Sequence, residues 1–185
     1  MFILLGTAAA LYIPDISVLV GNRPIMRNVH IIAGLLLPIP LVLALASAAF
    51  RADSAQLNRF TTHDWRWLRS QHRRTGHIPV GKFNAGQKIN AAFTLGAIII
   101  MFVTGVIMWQ NGPFADDIRT GATFVHDWLT IAIVIMVSGH IWMAMNDTEA
   151  RRGMRTGYVS PSWAKREHGE WFEEEHTSAT AQPEV

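Results

Sequence analysis

The sequence predicts an all-α membrane protein, a bundle of four spanning helices in which the first span is incomplete. Three observations carry that expectation. Half of the 185 residues are hydrophobic and only 16% are charged. Mean hydropathy is +0.19, and the charges stand outside three long uncharged runs, 31–50, 89–109 and 128–145. Each run comes close to the roughly 20 residues with which a helix crosses about 30 Å of hydrocarbon. Residues 1–150 are therefore read as the spanning bundle and 151–185 as a polar tail.

The first span is assigned to 2–20. Its continuous apolar stretch, FILLGTAAALYI at 2–13, makes only about 18 Å of helix, short of a crossing. Pro14 and Asp15 then interrupt it. A signal peptide fits poorly, because no basic residue precedes the run and no processing site follows it. The second span is placed at 30–50, with Pro38 and Pro40 inside it, prolines being tolerated where neighbouring groups re-satisfy freed carbonyls.

The connection 51–88 carries Arg51, Arg59, Arg66, Arg69, Arg73, Arg74, Lys82 and Lys88 against Asp53 and Asp64, so the positive-inside rule places it in the cytoplasm. The third span, 89–109, then leads outward and the fourth, 124–145, returns. Arg151, Arg152 and Arg155 open the tail and put it on the same side. Residues from Glu173 to Val185, rich in acids, Thr, Ala and Pro, read as a disordered end. A net charge of +2 and a pI near 9.4 reflect this topology and give no reason to expect nucleic acid.

With no cysteine in the chain, disulfides, thiolate metal sites, iron–sulfur clusters and thioether-linked haem are excluded, and imidazole is left as the strong metal ligand. Of the eight histidines, His30, His126 and His140 fall in or at the ends of spans. His63, His72, His77, His168 and His176 lie in polar segments. An ionisable group inside a membrane helix is costly and points to function. His126 and His140 are 14 residues apart, about 40° short of four full turns and roughly 21 Å along the axis. That spacing suits two metal centres at different depths, not one. His30 opens its span at the depth of His126, so the two can face each other, and paired imidazoles are what a b-type haem takes as axial ligands. Gly34, Gly96, Gly105 and Gly139 would make room for a flat macrocycle, although small residues also serve ordinary helix packing. Hydrogen bonding between helices, and a proton relay or transporter, are the competing readings of the three histidines.

Several segments together resemble a known family: GNRPIMRNVHIIAG at 21–34, GKFNAGQK at 81–88, TGVIMW at 104–109, FVHDW at 124–128, GHIWMAM at 139–145 and MRTGYVSPSWAKREHGEW at 154–171. The chain resembles the membrane cytochrome b (gamma) subunit of respiratory formate dehydrogenases, within the di-haem b561-like cytochromes. The resemblance implies two haem b groups and four histidine ligands. His30 and His126 match the pair for the outward haem and His140 one ligand of the cytoplasmic haem. The fourth ligand has no counterpart, so one or two haems are expected here. Its place would fall upstream of Met1, in line with the short first run, and a late start or a truncated copy is the expectation.

The resemblance further implies electron transfer from a molybdenum or tungsten catalytic alpha subunit, through an iron–sulfur beta subunit, to menaquinone or ubiquinone. The setting is the bacterial cytoplasmic membrane, with lipid contacts and a higher oligomer of the complex as further expectations. Asn84, Gly86 and Gln87, with His140, match the family's quinone site, where amides can bond a quinone carbonyl and glycine lets the backbone approach. A plain helix-entry turn capped by Asn84 is the alternative. Arg27, three residues before His30, is a candidate for a haem propionate or a solvated charge. Asp127 suits a group behind the ligand His126 or a helix cap, and the HDWRWL segment at 63–68 an interfacial helix. A cytochrome b of a hydrogenase or thiosulfate reductase, and a haem-free anchor subunit, are the alternatives in function.

Overall fold

The computed structural model describes residues 1–71, 78–110 and 112–180, with the backbone alone at 178–180. His72, Arg73, Arg74 and His77, and the end of the tail at 181–185, lie outside the described residues. Among the described residues every regular element is a helix: α1 (Phe2–Tyr12), α2 (Pro14–Val20), α3 (Arg23–Leu36), α4 (Ile39–Ala44), α5 (Ala48–Leu57), α6 (Thr62–Arg69), α7 (Ala85–Trp109), α8 (Asp116–Asn146), α9 (Thr148–Thr156), α10 (Pro161–Glu167) and α11 (Gly169–Thr180). Three segments, Arg23–Ala44, Ala85–Trp109 and Asp116–Asn146, are long and apolar enough to cross a membrane. Counting the bent pair Phe2–Tyr12 and Pro14–Val20 as one span gives a fourth.

Local chemistry sets the ends of these helices. Proline disfavours helical backbone in the residue before it, and Ile13 is accordingly extended, at φ −96° and ψ 114°. Pro14 then opens α2, where its missing N–H costs nothing and Asp15 faces the positive end of the dipole. The two helices meet at 104°, so the span expected at 2–20 is a bent pair and not one rod. Gly21 ends α2 with φ +70°, a left-handed conformation that glycine adopts without strain. Asn22 Oδ1 accepts from the Ile25 amide at 3.2 Å and starts α3.

The second span therefore begins at Arg23 and ends at Ala44, where 30–50 was expected. Ser47 accepts the Phe50 amide at 3.3 Å and opens the separate helix α5. α7 and α8 start ahead of their apolar runs, at Ala85 and Asp116 in place of 89 and 124, because polar residues nucleate them: Asn84 before α7, and Asp116 and Asp117 in the first turn of α8.

The chain divides into two compact units, Met1–Phe50 with Thr94–Val137, and Arg51–Phe93 with Ser138–Val185. In the first, α1 packs on α3, and its buried side chains are small: Thr7, Ala10, Ala97, Thr104 and Ala122, with Ile133 the largest. Bulky apolar side chains are exposed, Leu19 at 86% and Val42 at 61%, the pattern of helices solvated by lipid, where close approach depends on small residues.

The second unit has a conventional small core of Trp67, Val80 and Ala85, flanked by Leu68 and Ile78. In the HDWRWL segment, Trp67 and Asp64 are buried while Trp65 is 54% exposed, so one face of this short helix packs and the other is free for the interface. The tail joins that core. Glu170 and Trp171 amides both reach the Val80 carbonyl, at 3.1 and 3.4 Å, and His168 Nδ1–H donates to the Gly81 carbonyl at 2.8 Å. Residues 173–180, expected as part of a disordered end, continue α11. Glu and Ala are strong helix formers, and composition alone understated that.

Candidate functional site

The first unit brings His30 of α3 and His126 of α8 together, ring centroids 6.3 Å apart and planes 65° from parallel. Both rings are half-buried. Each is held by a threonine from another helix: Thr7 Oγ of α1 lies 2.8 Å from His30 Nδ1, and Thr104 Oγ of α7 lies 2.8 Å from His126 Nδ1. Nε2 of each ring makes no hydrogen bond among the described residues. Gly105 lies beside the pair, where an added Cβ would stand 3.6 Å from His126 Cε1.

That spacing admits a metal between the rings. Two metal–imidazole bonds of about 2.0–2.1 Å, each extended by roughly 1.1 Å from nitrogen to ring centre, give a separation of about 6.3 Å. Among the described residues no three His, Asp or Glu side chains converge. Two imidazoles therefore suit an iron whose other ligands come from a macrocycle.

The other expected residues fall elsewhere. His140 lies on the same helix as His126, is exposed, and belongs to the second unit. Arg27 is exposed and pairs with no carboxylate among the described residues. Asp127 accepts a hydrogen bond from the Tyr12 hydroxyl and ties the end of α1 to α8. A Cβ at Gly34 would stand 3.9 Å from Leu4, whereas one at Gly96 or Gly139 would meet open space.

Asn84 and Gln87 form a reciprocal cap. Asn84 Oδ1 accepts from the Gln87 amide at 3.0 Å and Gln87 Oε1 accepts from the Asn84 amide at 2.9 Å. Both oxygens are thereby used, and both amide NH2 groups remain as donors. Packing around Gly86 is tight, since a Cβ there would stand 3.3 Å from both Asn84 Oδ1 and the Trp67 ring. Next to this turn is a cavity of about 70 Å³ whose wall includes Thr61, Asp64, Asn84 and Lys88, room for about two waters. Lys88 Nζ binds Asp64 Oδ2 at 2.8 Å with both side chains largely buried. Burial pushes the Asp64 carboxyl up, but the Lys88 ammonium and the Thr61 amide and hydroxyl outweigh it and hold the group below the usual carboxylate range.

Thr7 and Thr104 were not legible in advance, because a lone threonine in an apolar run has no signature. Their only trace is position: Thr7 precedes His30 by 23 residues and Thr104 precedes His126 by 22.

The family model described as prokaryotic cytochrome b561 matches residues 1–157. The nitrate-inducible formate dehydrogenase cytochrome b556(Fdn) subunit of Escherichia coli K12 is 33% identical over 98 residues, 51% of this chain and 45% of that protein. The formate dehydrogenase cytochrome b556 subunit of Haemophilus influenzae is 27% identical over 189 residues, 94% of this chain and 75% of that protein. The chain thus spans about half the length of the Escherichia coli relatives it matches. With a family match over most of its length, apolar helices long enough to span a bilayer and two imidazoles set a metal's width apart, this multi-pass membrane protein belongs to the prokaryotic cytochrome b561 family, whose prosthetic group is haem b.

Proposed function

We propose that the chain is the membrane cytochrome b subunit of a formate dehydrogenase complex, carrying electrons from an iron–sulfur subunit to quinone. The observation that carries this reading is the His30 and His126 pair, 6.3 Å between ring centres, with both Nδ1 atoms engaged and both Nε2 atoms left over. The names of the matched relatives support the formate assignment. In this reading His30 and His126 would together hold one haem, and His140 would supply one ligand of a second. Arg27 takes a propionate at the outer surface. A haem held there accepts and releases one electron at a time.

The protein's own part is to fix the rings, exclude water with small, close-packed residues and hold the low-dielectric span. Quinone is reduced at the turn before α7, where the amide NH2 groups of Asn84 and Gln87 donate to its carbonyl and Gly86 lets the ring lie close, and His140 serves the electron path in this reading. The basic connection 51–88 and the arginines opening the tail support placing both in the cytoplasm of a bacterial inner membrane. The catalytic molybdenum or tungsten subunit lies on the opposite side.

Pyridine haemochrome assay on membranes carrying His30→Ala and His126→Ala tests the ligand set: each substitution is expected to remove the haem they share, and full retention overturns the assignment. In the assembled complex, formate is expected to reduce the haem absorption band and added quinone to reoxidise it. A band that hydrogen reduces and formate does not would transfer the chain to another donor.

A further inference from the structure

We infer that Thr7 and Thr104 are positioning residues that fix the tautomer of His30 and His126 and set how strongly the two rings favour oxidised iron. This rests on the reading of those histidines as the axial ligands of a haem.

A threonine hydroxyl carries one proton and two lone pairs, and a backbone carbonyl can only accept. Thr7 Oγ lies 2.7 Å from the Ile3 carbonyl and 3.1 Å from that of Leu4. Thr104 Oγ lies 2.7 Å from the Ile100 carbonyl and 3.3 Å from that of Met101. Both hydroxyl protons are thus directed into their own helices. What each oxygen offers the imidazole is a lone pair, so Nδ1 carries the ring proton and donates it. The Leu4 carbonyl is a further acceptor near the His30 ring. With Nδ1 protonated, neutral imidazole has its free lone pair on Nε2, the atom a metal requires.

Burial makes the contact effective. Thr7 is 6% exposed and Thr104 8%, so water does not replace either oxygen. A hydrogen bond from the outer ring nitrogen makes the coordinating nitrogen more basic, which favours the more highly charged state of the metal. The arrangement is the same on both sides: α1 holds the ring on α3 and α7 holds the ring on α8. Thr7 and Thr104 therefore act in the same direction, each through the ring it holds.

The test uses the assembled complex with Thr7→Val, Thr104→Val, Thr7→Ser and Thr104→Ser, reading haem per polypeptide and the haem midpoint potential by spectroelectrochemical titration. Each valine variant is expected to shift the reduction equilibrium about tenfold toward the reduced form, which is about 59 mV upward for a one-electron couple. The serine variants, which keep the hydroxyl, are expected to return the unsubstituted potential. Haem lost from the valine variants and kept by the serine variants supports the same role. Unchanged potentials in both valine variants, or haem lost from the serine variants, overturn it. His30→Ala and His126→Ala run alongside separate the two claims, because haem retained there defeats the ligand assignment whatever the threonines do.

Discussion

In the unit built from Met1–Phe50 and Thr94–Val137, two histidines and two threonines use up one another's polar atoms unevenly, so that each ring keeps an unbonded nitrogen turned from its threonine. In the unit built from Arg51–Phe93 and Ser138–Val185 the same kinds of side chain close on themselves. Asp64 caps α6 and binds Lys88, Asn84 and Gln87 cap each other's backbone, and His168 donates to Gly81 between Trp163 and Trp171. Buried polar groups need partners in either setting. What separates the two histidines is the neighbour each ring faces: His126 meets a second imidazole, His30, at 6.3 Å, whereas His168 meets the indoles of Trp163 and Trp171.

His126 and His168 put this contrast to its largest test, since each is a histidine with a 2.8 Å contact at Nδ1. His126→Ala is expected to empty the haem site, whereas His168→Ala should keep the haem in full and loosen the tail, costing about 1–3 kcal/mol for the carbonyl left without its donor. Haem content and proteolytic release of 161–180, measured on the two variants together, read both effects. Equal haem loss from the two would erase the distinction.

Asp64 provides the next effect. Removing one member of a buried ion pair strands the other, and side-chain exposures of 11% for Lys88 and 7% for Asp64 qualify the pair as buried. Asp64→Ala is expected to destabilise the second unit by about 3 kcal/mol, with much of that recovered in Asp64→Ala combined with Lys88→Met. Hydrogen exchange of the α6 amides measures both. Protection in the double variant no better than in the single would show that the loss is the helix cap and not the stranded ammonium.

Titration gives the same contact a milder perturbation. Because the folded Asp64 carboxyl is held below its ordinary value, the stabilisation is complete above the unfolded carboxylate pKa of about 3.9 and fades as pH falls through the lower folded value. Glu149, lowered first by its bond from the Ser160 amide and further by Arg152, moves in the same direction. Exchange protection of α6 should therefore be flat from neutral pH down to the carboxylate range and decline below it. A decline that began near neutrality would implicate a histidine instead.

The sequence made the bundle readable because lipid-solvated helices announce themselves by composition: the uncharged runs 89–109 and 128–145 lie within α7 and α8. Their ends were misjudged because caps such as Asn22, Ser47 and Asn84 act through single hydrogen bonds that leave no mark on average hydropathy. The bend at Pro14 was visible as an interruption, but not its 104° angle. His30 and His126 could be paired by depth alone. The threonines behind them could not, since a contact between residues 23 or 22 positions apart on different helices is a property of packing. The Tyr12 hydroxyl on Asp127 is likewise a contact between distant positions, 115 residues apart, that only packing creates.

The smallest effect expected is also the one that separates bracing from chemistry at the start of α7. Asn84→Asp and Gln87→Glu keep the oxygens that accept the Gln87 and Asn84 amides, and aspartate and glutamate are favoured at these two positions of a helix start. Stability should therefore stay within about 0.5 kcal/mol of the unsubstituted chain. What each substitution removes is the amide NH2, the donor left over once the cap is made. If that group bonds a quinone carbonyl, losing one hydrogen bond of about 1 kcal/mol slows quinol formation roughly fivefold, with haem content unchanged. Quinol formation equal to the unsubstituted rate in both variants, while Asn84→Ala costs about 1 kcal/mol of stability, would make Asn84 and Gln87 a brace like the rest of their unit and move the quinone elsewhere.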